Sequence, residues 1–76
     1  MPQDLQNLEV VVDNLGRGDL VHEAKYHIGM LRQTMIRASE KGWTDYFLKA
    51  WSEEILEIQK IINKVKIQKA KDQDFL

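Results

Sequence analysis

Seventy-six residues hold one domain at most and bury only about 60% of the surface that the unfolded chain exposes. No cysteine is present, so neither a disulfide nor a thiolate metal site can reinforce so small a core, and a second subunit is the expected support. Eleven basic against twelve acidic residues give a net charge of −1, which speaks against bulk attraction to nucleic acid or membrane, and 43% hydrophobic with 30% charged residues is a globular mix.

The first element is a helix over residues 2–15. Pro2 suits a helix start, where its missing N–H has no partner anyway. Leu5, Leu8, Val12 and Leu15 recur at 3-4 spacing and share one face. Asp4 and Glu9 stand in its N-terminal part, where acids suit the helix dipole. Gly16 ends it, because glycine takes the left-handed turn without steric cost.

Arg17-Gly18 is a short link, and Asp19 is the expected N-cap of the second helix, over residues 20–41. Val21, Ala24, Ile28, Leu31, Met35 and Ala38 alternate 3 and 4 apart along it. Gly42 ends this helix, with Arg37 and Lys41 in its last turns. Trp43 and Thr44 make the next turn. Thr44 is the expected cap of a third helix over residues 45–69, and Trp43 is placed to staple onto Leu48. Leu48, Trp51, Ile55, Ile58, Ile62 and Val65 repeat the 3-4 alternation. Residues 70–76 carry no cap and are expected to fray.

The fold class is therefore all-α: an antiparallel helical hairpin with a short N-terminal helix, forming one domain. Two long helices joined by two or three residues must lie side by side. At 1.5 Å per residue the hairpin helices span about 33 and 37 Å, and the first helix only about 21 Å. Ile28, Leu31, Met35, Trp51, Ile55, Ile58 and Ile62 are the expected core or dimer residues. Leu20, Tyr26, Met30, Ile36, Phe47, Leu56, Ile61 and Ile67 lie off that stripe, more than the first helix can cover. A homodimer with a four-helix-type core follows as the expectation; the plainer reading is a monomer with scattered surface apolar residues.

Chemistry is sparse. His22 and His27 point to different faces, and Glu23 with His27 supplies two metal ligands of the three or four needed. Glu53, Glu54 and Glu57 read as a solvated face. No phosphate-binding glycine loop occurs. The chain is expected to be no enzyme and to need no cofactor or metal. No apolar run reaches the roughly 18 residues of a membrane span, and the first residues lack signal-peptide character. The expected setting is cytoplasmic, without a membrane partner. Arg17-Gly18-Asp19 spells an adhesion triplet, but each residue has a helix-boundary role there. A docking role for Phe75-Leu76 is weaker than that of a loose tail.

The expected function is that of a protein-binding adaptor, inhibitor or regulator. Its contact residues are Trp43, Tyr46 and Phe47 at the turn, with Arg37 and Lys41 beside them, because hot spots favour aromatics and arginine. The alternative is a nucleic-acid-binding dimer using Lys60, Lys64, Lys66, Lys69 and Lys71. The bland account of those lysines is complementarity to acids near the first helix.

Overall fold

The structure, a computed structural model, describes the backbone of residues 2–74 and the side-chain surroundings of residues 3–71. Among the described residues the chain is all-helical, with three helices: α1 (Pro2–Asn14), α2 (Asp19–Lys41) and α3 (Asp45–Asp74). They form a rod 52 Å long and 19 by 17 Å across.

α2 and α3 run side by side in opposite directions. Trp43 packs on Trp51 beside the turn, while Arg17–Val21 line a common cleft with Lys64, Val65, Lys69 and Lys71 at the other end. α1 lies alongside, antiparallel to α2 and parallel to α3. Its Glu9 pairs with Arg32, its Leu8 shares a cavity with Ile55 and Gln59, and the Leu15 carbonyl meets Lys69. Since α1 is short, only the half of the rod away from the turn is three helices thick.

The glycines act as punctuation. Gly16 and Gly42 have φ of 92° and 94°, where a side chain is strained. The Gly42 amide closes α2 by donating to the Ala38 carbonyl at 2.7 Å. The cap of α2 corrects the sequence reading. Gly18 holds the N-cap position with no side-chain hydrogen bond, and Asp19 is the first helical residue. Its carboxylate still sits at the positive end of the dipole. α3 also runs past the expected end at Lys69, to Asp74. Lys, Gln and Ala are good helix formers, and no glycine or proline interrupts them. Phe75-Leu76 lies outside the described residues.

The core joins all three apolar stripes. Leu5, Val12 and Leu15 of the first segment meet Val21, Ala24, Ile28 and Leu31 of α2, and Trp51, Ile58, Ile62 and Val65 of α3. Leu8, Met35 and Ile55 pack on this cluster half-buried. Ile61, expected off the stripe, is buried at 4% exposure. Ile61 and Ile62 stand about 100° apart on the helix, so the buried arc of α3 is wider than a two-helix seam needs. No polar or charged side chain is buried among the described residues. Leu31 and Ile58 are fully enclosed, and burying each contributes about 1.5–3 kcal/mol. Leu31→Ala or Ile58→Ala should lower unfolding free energy by about 3 kcal/mol in urea titrations followed by Trp fluorescence, whereas Ser52→Ala, at an exposed position, should change it by less than about 0.5 kcal/mol.

Candidate functional site

The turn between α2 and α3 ends the half of the rod that α1 leaves uncovered. From Gln33 to Glu53, only Ala38 and Trp51 are fully buried; Met35, Trp43, Phe47 and Leu48 are half-buried. Aromatic side chains brace this thin section. The Trp43 ring meets the Trp51 ring edge-on, with centroids 5.3 Å apart and planes at 89°. This pairing holds Trp43 against a residue one turn beyond Leu48, the partner expected from the staple pattern. Trp51 is itself buried at the core, so the pairing ties Trp43 to the core.

Phe47 and Trp51 are four residues apart and share the inward face of α3. Tyr46 is rotated about 100° from Phe47 and points away. Its exposure is 76%, the largest of any exposed large hydrophobic side chain described, and its ring rests edge-on against Phe47 at 5.3 Å. Arg37 and Lys41 are exposed one turn apart near the end of α2. Neither has an ion-pair partner among the described residues. Of the five turn residues named from sequence, Tyr46, Arg37 and Lys41 are thus exposed, while Trp43 is packed on Trp51 and Phe47 is half-buried.

The opposite end of the rod carries a cleft of about 750 Å³ between the start of α2 and the end of α3. Arg17, Lys64, Lys69 and Lys71 line it, with Asp19 as the counter-charge. Lys60 instead pairs with Glu57 at 3.5 Å, and Lys66 faces elsewhere, so the five lysines make no single stripe. Lys69 has a structural task as well: its Nζ donates to the Leu15 carbonyl at 2.6 Å. A cation there satisfies a carbonyl at the negative end of α1.

Two features escaped the sequence reading. His27 Nδ1 lies 2.6 Å from Glu54 Oε2, both side chains about one-fifth exposed, so the imidazole N–H donates to the carboxylate across the α2–α3 seam. The signal was positional: His27 falls between Ala24 and Leu31, and Glu54 between Trp51 and Ile58, each at the edge of a buried stripe. The second feature is Gly29, a glycine in the interior of α2, where it costs about 1 kcal/mol relative to alanine. Among the described residues no three of His, Cys, Asp and Glu stand close enough to hold a metal ion. No described helix is long and apolar enough to cross a membrane.

No protein-family model, curated protein or solved structure matches this chain.

Glu54→Ala should lower stability by about 1 kcal/mol by leaving His27 without its acceptor. The exposed neighbour substitution Glu53→Ala should stay within about 0.5 kcal/mol in the same thermal unfolding assay.

Proposed function

We propose that this chain is a non-enzymatic, cytoplasmic binding protein, a helical-hairpin homodimer of four-helix type that acts as an adaptor, inhibitor or regulator of another protein. The observation that carries this reading is Tyr46, a large aromatic side chain 76% exposed at the start of α3, across the turn from the unpaired Lys41 at the end of α2. Tyrosine turns about only two side-chain bonds, so it loses little conformational freedom on docking, and tyrosine is among the residue types that dominate interface energies. The mechanism is steric: the rigid rod presents its turn to a partner's surface and occupies it.

The test uses purified chain as bait in extracts of its host, with Tyr46→Ala and Lys41→Ala as paired baits. A specific partner should be retained by the unaltered chain and lost from both variants. With that partner purified, Tyr46→Ala should weaken binding about 30-fold, a hot-spot loss of about 2 kcal/mol, while the helical circular dichroism signal stays unchanged. Equal retention by all three baits removes the turn as the contact surface.

The cleft of Arg17, Lys64, Lys69 and Lys71 favours a second reading, contact with nucleic-acid phosphates. Phosphate contacts release counterions, so gel-shift affinity should fall steeply as salt rises. Lys64→Gln with Lys71→Gln should flatten that dependence, with a slope change of about 2. No shift at low salt rules this reading out.

A further inference from the structure

We infer that the outer face of α2, centred on Gly29, is the surface on which a second copy of this chain docks antiparallel; this names the contact face of the homodimer proposed above and rests on that reading. The face is a second 3-4 repeat on α2, opposite the buried one. His22, Tyr26, Gly29, Gln33, Ile36 and Glu40 follow one another at alternating steps of four and three, the spacing of a helix-pairing seam. Within one chain this face is unpartnered: Tyr26 is 66% exposed, Ile36 49% and Met30, on its edge, 40%.

Gly29 is the informative residue. A helix-interior glycine weakens the helix, so it needs a compensating reason. None is found among the described residues, because a Cβ built at Gly29 meets nothing within 4 Å and the backbone there is ordinary helix. The reason must then lie outside, where a missing side chain lets another helix approach closely. Leu56 and Ile67 make a poorer surface. They stand on the outer face of α3 with Lys60 and Asn63 between them.

The charge pattern selects a second copy and fixes its direction. When two α2 helices run antiparallel with the symmetry axis near Leu31, each seam position meets its complement. Tyr26 faces Ile36 of the other copy, Gly29 faces Gln33, and His22 faces Glu40. On one edge Met30 meets Met30, and Glu23 meets Arg37 of the other copy. Glu23, Arg37 and Glu40 have no ion-pair partner within the described residues, so they are available. The other edge brings Arg32 towards its own counterpart, but Glu9 already pairs with Arg32 and offsets that repulsion. Each contact between different residues occurs twice by symmetry, and Met30 and Arg32 each meet their own counterpart once on the axis, as an isologous interface requires.

Three sets of variants of the full chain test this by sedimentation across a dilution series. Gly29→Ala should have opposite effects at the two levels: the dilute monomer should gain about 5 °C in melting temperature, while association weakens about tenfold or more. Tyr26→Ala and Ile36→Ala should also weaken association. Glu23→Arg should abolish it, and Glu23→Arg with Arg37→Glu should restore it. Because the chain has no cysteine, Met30→Cys reports register directly: the antiparallel dimer should cross-link with itself under mild oxidation. A monomer at every concentration overturns the inference. A dimer indifferent to Gly29→Ala and Tyr26→Ala overturns this face, and failure of the charge exchange to restore association overturns the register. Partner capture by the turn is read separately with Tyr46→Ala, which should leave the dimer intact.

Discussion

The rod is organised by a mismatch of length. α1, with thirteen residues, reaches about 20 Å, while α3, with thirty, reaches about 45 Å. A third helix is needed to enclose the isoleucines of α3, and it is present along only part of them. Where α1 lies, the core closes around Leu31, Ile58 and Val12 with no exposure. Beyond its start, the chain has only the α2–α3 seam, and aromatic rings take over the work of enclosure. Trp51 can be nearly covered there because Trp43 stands edge-on against it. The section most dependent on its own aromatics is therefore also the section that places Tyr46 in solvent.

Polar contacts sit at the edges of the apolar seams rather than within them. His27 with Glu54 links α2 to α3, Glu9 with Arg32 links α1 to α2, and Lys69 with Leu15 links α3 to the end of α1. Each joins groups that keep some access to water, so none carries the full desolvation cost of a buried ion. They add direction to an apolar core that does not itself distinguish closely related registers. A rod with smooth helical stripes needs such markers, because a shift by one heptad leaves most apolar contacts in place.

Much of the fold was legible in the sequence because helices obey short-range rules. The stripes Val21 to Ala38 and Leu48 to Val65 are periodic, and Gly16 and Gly42 end helices for a local steric reason. Ile61 was misjudged because one stripe per helix does not describe a helix that touches two neighbours. Gly18 displaced Asp19 from the cap position by one residue, within the ordinary uncertainty of helix ends. The reach of α3 past Lys69 was missed because the lack of a stop signal was read as the lack of a helix. The candidate site was legible only in outline. Sequence placed an aromatic cluster at the turn, but which ring turns outward depends on the phase of α3 relative to α2. The His27–Glu54 pairing spans 27 residues and two helices, and no local pattern encodes such a match.

The Lys69–Leu15 hydrogen bond has an outcome for how the molecule breathes. A helix of thirteen residues is marginal in water by itself, since nucleation is costly and few turns compensate. α1 thus owes its persistence to the two helices beneath it and to a clasp supplied from 54 positions later in the chain. Native-state amide exchange would then show α1 opening as a cooperative unit ahead of global unfolding, in step with fraying of α3 near Lys69. In that open form the rod would bare a long greasy trough, so the clasp also governs how often the molecule is sticky.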